Sequence, residues 1–444
     1  MKSVTKKIDV LPREVTDSGW FATLDKVSEP NILKKSVNVD FLVIGAGWVG
    51  VNAARRLAEL NPDKKVALLD AGRIGNSTGG RCAGYAIDLA HNPRKKNFAE
   101  SEQDNIQESY INREGIAYLK SAVDELGVDC DWSPQGKIHV SCSDRGDNCL
   151  KEFARAMDRI NEPYEWYEFD KLKEIVGTSY YRRGLFAPGT VLLQPAAMLR
   201  GIAEKLPENA VVYENSPVIE ITYGSPMHKC ITPEGEISAH KIVMANNGFI
   251  SYFGFFEGRN IQVYTYGSLT RPLTKPEQKE IGGQNTFGLI PADPFGTTVR
   301  RTVDNRLFIR NIYKYAHNCQ TSLSMIEKAR ARHQKSFDVR FSEISNIGFE
   351  HSWGGGCSLS MNGGTVFGEI SERVYGAAFL NGTGVSRGAI YGKAIAELAS
   401  GQSSKAISIL SSRAKPGRSL PRVILEPGVN MNTSYRLLMA GKEV

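Results

Sequence analysis

The stretch Phe41-Leu-Val-Ile-Gly45-Ala-Gly47-Trp-Val-Gly50 constrains this chain more than any other. A short apolar run enters a G-x-G-x-x-G turn. A helix-compatible segment follows from Val51 to Leu60, and a second apolar run, Lys65 to Leu69, ends at Asp70. Strand, glycine turn, helix and strand in that order make a dinucleotide-binding βαβ unit. Gly45 permits the tight turn, Gly47 lets the backbone approach a pyrophosphate, and Gly50 lets helix and strand pack closely. Trp48 and Val49 open the helix, whose N-terminus favours negative charge. Asp70 stands where an acid accepting hydrogen bonds from a ribose is expected. An isolated G-x-G-x-x-G would equally describe an ordinary glycine-rich turn, but here four neighbouring features agree.

The next loop bears on which dinucleotide is bound. Asp70 is followed by Ala71-Gly-Arg73-Ile-Gly-Asn-Ser77-Thr78-Gly-Gly80-Arg81-Cys82-Ala83-Gly84. A nicotinamide enzyme has no need of a second glycine- and hydroxyl-rich loop at this point, whereas a flavin enzyme can use one. Small residues let the chain lie against the second phosphate and the isoalloxazine, and Ser77 and Thr78 can donate to phosphate oxygens. Far downstream, Phe379-Leu-Asn-Gly382-Thr383-Gly384-Val385-Ser386 reads as a strand, a turn and a helix N-terminus. A helix start aimed at the flavin pyrimidine edge would stabilise the negative charge of the reduced ring.

These motifs resemble the FAD-dependent D-amino-acid oxidase superfamily, which includes glycine and sarcosine oxidases. Within it the chain is most similar to the γ-glutamylputrescine oxidase type, through a short N-terminal arm, Asp304-Asn-Arg-Leu307, Trp353-x-Gly and Pro416-Gly417-Arg418. The resemblance covers nearly the whole chain. It implies an α/β fold, with a Rossmann-like FAD-binding domain and an interleaved, mainly antiparallel α+β substrate domain. It also implies that Val218 meets the adenine side and that the strand ending at Ala245 returns to the cofactor. The chain departs from the pattern at Asp70 (Glu is usual), at Cys82 (Asn is common) and at Arg310-Asn311 (glycines often follow the strand). In monomeric sarcosine oxidases a cysteine placed similarly to Cys357 is bonded to the flavin. The γ-glutamylputrescine type does not depend on one there, so a covalent link and a small packed residue both stay open.

Composition fits an enzyme. The 444 residues exceed one simple core, so two intertwined domains are expected. No apolar run is long enough for a membrane span. The polar, basic start, Met1 to Leu11, has no apolar centre for a secretory signal, and a cytoplasmic protein is expected. Seven scattered cysteines form no C-x-x-C pair, and the seven histidines show no metal spacing, so free thiols and no metal are expected. Basic runs at Lys6-Lys7, Lys34-Lys35 and Arg94-Lys95-Lys96 read as solvated surface rather than a nucleic-acid face.

The expected layout is an N-terminal arm over 1–35 and an FAD domain over 36–128, 188–250 and 346–415. The substrate domain covers 129–187 and 251–345, with a tail over 416–444. Expected helices lie near Glu114–Leu126, Pro195–Leu206 and Ser322–Gln334. Expected strands include 137–140, 210–213, 217–223, 241–245, 262–266 and 306–310.

A flavin takes a hydride equivalent from a C–H bond beside an amine nitrogen, so the protein supplies position rather than a nucleophile. Arg306 and Arg310 lie four apart on an expected strand and should point the same way. Either Arg310 holds a substrate carboxylate or it is a solvent-facing charge. Tyr264 and Tyr266 either line the pocket or pack. His351 is either a polar group near the substrate or a structural histidine. Trp353 either stacks near the ring or fills the domain seam.

The expected reaction oxidises the C–N bond of an amine or amino acid, a γ-glutamyl polyamine among the candidates. The product imine is hydrolysed, and dioxygen reoxidises the flavin to give hydrogen peroxide. The alternative within enzymes is a dehydrogenase serving a partner protein or quinone, because no lysine occupies Arg306 to Ile312 as it would in the sarcosine-oxidase type. The alternative of another class is a flavin-binding subunit without turnover. Oligomer formation is left open.

Overall fold

A computed structural model describes residues 3–92, 95, 98, 100–345 and 347–444. Arg94 and Lys96 of the third basic run, and Met1, lie outside the described residues.

Two large sheets and a two-stranded one, Tyr85–Ala86 with Val191–Leu192, make up the described strands. The first has nine strands. Its path runs through Val4–Lys7, Glu220–Tyr223, His228–Ile231, Glu236–Met244, Ser36–Ile44, Val66–Leu69 and Ala210–Tyr213. Val374–Ala378 also pairs with Glu236–Met244 and carries Val366–Ser371. The middle is parallel: Leu42 sits opposite Ala67 on one side and Ile242 on the other. Parallel central strands are covered on both faces, so they read as continuous apolar runs. Phe41 to Ile44 and Val66 to Leu69 are accordingly all buried. The helices Trp48–Leu60 and Val385–Ala399 pack on one face, where Gly392 lets the second approach the Val49 carbonyl.

The second sheet has eight strands in the order Phe349–Leu359, Ile261–Thr270, Leu307–Tyr315, Thr298–Arg301, Phe287–Pro291, Lys137–Ser141, Arg183–Ala187 and Glu165–Glu168. It is antiparallel except where Phe287–Pro291 runs parallel to Lys137–Ser141. The expected combination of a Rossmann-like domain and a mainly antiparallel domain is what the chain adopts.

Several expectations need correction. The arm contains the strand Val4–Lys7, which joins the first sheet with Val4 opposite Tyr223, and it buries Ile8, Trp20 and Leu33. The strand Phe349–Leu359, placed by sequence in the FAD domain, hydrogen-bonds into the second sheet with Cys357 opposite Val263. The tail folds into a helix, Arg422–Ala440, whose Leu425 packs with Ile261 and Val263. Glu426-Pro427-Gly428 hides it in the sequence, because Pro and Gly normally end a helix. The strand expected from Pro217 starts only at Glu220, since proline has no N–H for the ladder. Arg306 precedes its strand, which begins at Leu307, so the period-two argument linking it to Arg310 fails. The helix expected around Glu114 begins at Glu102, where the Ser101 hydroxyl accepts from Asp104 N. The helix expected to end at Gln334 continues to Arg340. No described helix is long and apolar enough to cross a membrane.

Candidate active site

The site starts where the strand Ser36–Ile44 stops. Gly45 has φ +100°, which an L-residue rarely adopts. A Cβ on Gly50 would stand 1.6 Å from the Gly45 carbonyl oxygen, so the third glycine fixes how closely turn and helix pack. Gly47 caps the helix with no side chain accepting from its first turn, leaving those N–H groups for a ligand. Asp70 follows directly on the next strand, Val66–Leu69. Its Oδ2 accepts from Ala46 N at 2.6 Å and its Oδ1 from Gly72 N at 2.9 Å. Two carboxylate oxygens offer about four acceptor sites, so capacity remains for a ribose. Burial pushes this carboxyl above its usual range, opposed by those two N–H donors.

A cavity of about 220 Å³ opens here, lined by Gly45, Gly47, Trp48, Val49, Asp70, Ala71, Ser77, Val218 and Ala245. Residues of the arm, from Ile8 to Glu14, also wall it. Both polar atoms of the Asn246 side chain are buried on this wall without a hydrogen-bond partner. An unpartnered buried amide is costly, so it marks a place where a ligand supplies the missing bonds. The uncapped helix start, the residual capacity of Asp70 and the orphaned Asn246 together fit the pyrophosphate and ribose of FAD.

A second cavity, of about 570 Å³, shares Thr78, Cys82, Gly356, Cys357, Gly382 and Gly384 with the first. Gly384 caps the helix Val385–Ala399 without side-chain help, so a second open helix start faces this junction. Thr383 and Val385 line the larger cavity, with the Thr383 hydroxyl donating to His91 O at 3.1 Å. The junction is glycine-rich and flanked by two thiols, which leaves backbone free to approach a flat ring. Burial pushes the Cys82 thiol up to about 11. Burial also raises Cys357, with Arg310 opposing it.

Other expected cofactor residues have different positions. Arg73 lines neither cavity; its guanidinium is bound to Glu214 and the Ser28 carbonyl. Gly80 also lines neither, and a Cβ there would meet the Gly75 carbonyl at 1.8 Å. Ser386 is buried and donates to Ile87 O at 2.6 Å. Arg81 and Ala83 line the larger cavity. Arg81 is already occupied: it donates to Asn76 O at 2.6 Å and Gly354 O at 3.0 Å, and pairs with Glu14 at 3.3 Å. It staples arm, loop and second sheet together.

Of the expected substrate residues, Arg310 and Tyr266 line the larger cavity. Arg310 donates to the Tyr313 hydroxyl at 2.9 Å and the Thr298 hydroxyl at 3.1 Å. Arg306 instead pairs with Asp304 and Glu350. Tyr264 is off the wall, its hydroxyl donating to Cys319 O at 3.0 Å. Trp353 is also off the wall; it packs on Trp20 and Phe308 and donates to Arg81 O at 3.1 Å. His351 lines neither cavity and lies 3.6 Å from Glu350. Sequence reasoning did not single out Asn246, His91, Phe295 or Tyr313, nor the C-terminal helix that covers one side of the larger cavity. The Asn246-Asn-Gly248 turn after an apolar strand was a usable signal; the helix gave none. Among the described residues no group of three or more His, Cys, Asp or Glu could hold a metal.

The family described as DAO, FAD dependent oxidoreductase, matches residues 40–398. The chain is similar to the probable oxidoreductase OrdL of Haemophilus influenzae, 23% identical over 408 residues, covering 90% of this chain and 91% of that protein. It is likewise similar to γ-glutamylputrescine oxidoreductase of Escherichia coli, 23% identical over 406 residues, covering 88% of this chain and 91% of that one. Among solved structures, glycine oxidase from Geobacillus kaustophilus superposes with a TM-score of 0.70 at 17% identity, covering 87% of this chain and 100% of that one. At that identity the likeness establishes the fold.

Proposed function

The chain belongs to the FAD dependent oxidoreductase family, and from that premise we propose that it oxidises a C–N bond in an amine or amino acid that carries a carboxylate. The observation that carries this reading is the lining of the larger cavity. It adjoins the proposed flavin junction, and its charged lining is Arg81, Arg310 and Arg436, without an Asp or Glu among the described residues.

Bound FAD supplies the acceptor for the hydride equivalent leaving the carbon beside the nitrogen. The chain's own residues do the rest. Arg310, held by neutral hydroxyls, keeps N–H donors free to clamp a carboxylate and orient the neighbouring C–H bond. The apolar lining, including Ile261, Val263 and Leu425, limits water. A positive lining without acids disfavours the ammonium form of the bound amine, and the free lone pair is what oxidation to an imine requires. Water then hydrolyses the imine to an aldehyde or oxo acid and releases ammonia or an amine.

The similarity to γ-glutamylputrescine oxidoreductase supports a γ-glutamyl polyamine as one candidate substrate. Dioxygen is the first proposed acceptor, giving hydrogen peroxide. A partner protein or quinone is the second, favoured by the lack of a lysine on either wall among the described residues. Anaerobic bleaching of the flavin by a panel of amines tests the reading. Bleaching by carboxylate-bearing amines is expected, and no bleaching by any amine would overturn it. Admitting air and measuring peroxide then separates the two acceptors.

A further inference from the structure

We propose that Arg310 and Arg436 together form a two-anion site, so that the substrate is an amine bearing two carboxylates, one beside the reacting carbon and one at the far end. This rests on the larger cavity being the substrate site.

The two guanidinium groups flank one aromatic pair on the same wall. Arg310 lies 5.4 Å from the Tyr313 ring centroid, the Tyr313 and Phe295 centroids are 5.0 Å apart, and Arg436 lies 5.5 Å from Phe295. Neither arginine forms an ion pair among the described residues, although Arg113, Arg145 and Arg200 do. The carboxylate next in sequence to this wall, Asp293, is committed elsewhere: it pairs with Arg145 at 2.6 Å and accepts from Phe295 N at 3.0 Å. Two uncompensated cations on one partly enclosed wall repel each other, and anions of a ligand remove that repulsion.

The helix carrying Arg436 is fixed in place. Leu425 packs on Ile261 and Val263, and Asn430 Oδ1 accepts from Tyr315 N at 3.2 Å. Beyond its end, the Glu443 carbonyl accepts from Thr297 N at 2.7 Å and from Arg340 at 3.0 Å. Arg436 is therefore presented at a set position rather than on a loose rim.

The anchors also come from different elements. Arg310 is carried by the strand Leu307–Tyr315, which pairs with Ile261–Thr270 and through it with the strand bearing Cys357 of the junction. Arg436 comes from the helix Arg422–Ala440, which covers one side of the cavity and turns Met431 and Leu438 to solvent. A chain with an apolar middle can lie along Tyr313 and Phe295 with a carboxylate at each end, and arginine's fork suits both.

The test uses the FAD-loaded protein and two readouts. In the first, butyrate, succinate, glutarate and adipate are titrated while the visible flavin spectrum is followed. At least one dicarboxylate is expected to bind about tenfold or more tighter than butyrate. Arg436→Gln should erase that advantage and leave butyrate binding unchanged, Arg436→Lys should restore part of it, and Arg310→Gln should weaken every acid. FAD content and Tm of each variant show that it is folded. Equal binding of mono- and dicarboxylates, or a dicarboxylate Kd that Arg436→Gln does not move, overturns the inference. The second readout is anaerobic flavin reduction by amino mono- and diacids. A dicarboxylate preference without reduction by any amine supports the two-anion site and sinks the catalytic reading. Reduction that Arg436→Gln leaves unaltered in KM for diacids does the opposite.

Discussion

The carboxylate of Asp70 accepts the backbone N–H of Ala46 at 2.6 Å, so the acid following one strand is bonded to the glycine turn following its neighbour. The same side chain therefore shapes the turn and faces the cofactor cavity. Asp70→Ala leaves the Ala46 and Gly72 amides without their acceptor and removes the proposed ribose contact. We expect FAD affinity to fall roughly ten- to a hundredfold, corresponding to about 1.5–3 kcal/mol, with a lower Tm. The ratio of flavin to protein absorbance after gel filtration measures it. The wild-type protein should be yellow with FAD, and a colourless protein that stays so after incubation with FAD would contradict the cofactor assignment.

Arg310→Ala should raise KM for carboxylate-bearing amines by roughly 30- to 150-fold, the equivalent of about 2–3 kcal/mol for a charge-assisted contact. FAD content should not change, because Arg310 lines the larger cavity and not the cofactor cavity. Steady-state kinetics beside flavin absorbance check both halves, and an unchanged KM moves the anchor elsewhere.

Cys357 should not hold the flavin covalently. Cys357 is half-buried, burial raises its thiol above the usual range, and it faces the junction together with Cys82, pushed up to about 11. The thiolate is the nucleophile a thioether would need. Acid precipitation should leave the yellow colour in the supernatant. Colour retained on the polypeptide and lost in Cys357→Ser would show the opposite.

Stability should fall as the pH drops below about 6.5. His333, buried with its Nδ1 2.8 Å from the Ser268 hydroxyl, is pulled down to about 3, and His228 to about 4, burial being the main cause in both. Their folded pKa values lie below the unfolded value of 6.5. The unfolded chain therefore takes up protons that the folded chain refuses, and stability present above that pH is lost as it falls toward 4 and 3. Each such histidine contributes a slope of about 1.4 kcal/mol per pH unit in that window. Urea midpoints between pH 4 and 7 measure it, and His333→Gln should flatten the slope by about one proton. An identical slope in the variant would show that His333 is already protonated in the folded state.

Much of the cofactor side was legible because it is local. Gly45, Gly47, Asp70, Ser77 and Thr78 lie within about one βαβ unit, and all of them line the smaller cavity. Ala245 and Gly384 were legible for a related reason, each following an apolar strand that can only be central. Of the side chains expected near a substrate, the wall of the larger cavity holds Tyr266 and, on the neighbouring strand, Arg310. Its supposed twin Arg306 precedes the strand and pairs with Asp304 and Glu350, a difference of one residue in a strand boundary that periodicity cannot resolve. His351 and Trp353 were drawn toward the site because they precede the segment expected to lead to the flavin. They lie six and four residues nearer the start of the strand Phe349–Leu359 than Cys357, where Trp353 packs on Trp20 and Phe308 and His351 faces Glu350.

The sequence by itself determined the nucleotide-binding fold, since strand, turn and helix signals there are read from neighbours along the chain. Only the tertiary structure decided that the arm from Ile8 to Glu14 walls the cofactor cavity. It alone brought Arg436, 126 positions from Arg310, onto the same wall, by folding a helix through Pro427-Gly428 and seating it with Leu425 on Ile261 and Val263. Burial of an apolar stripe against a distant sheet outweighed the local preference of those two residues to end a helix, and local propensity carries no record of that distant partner.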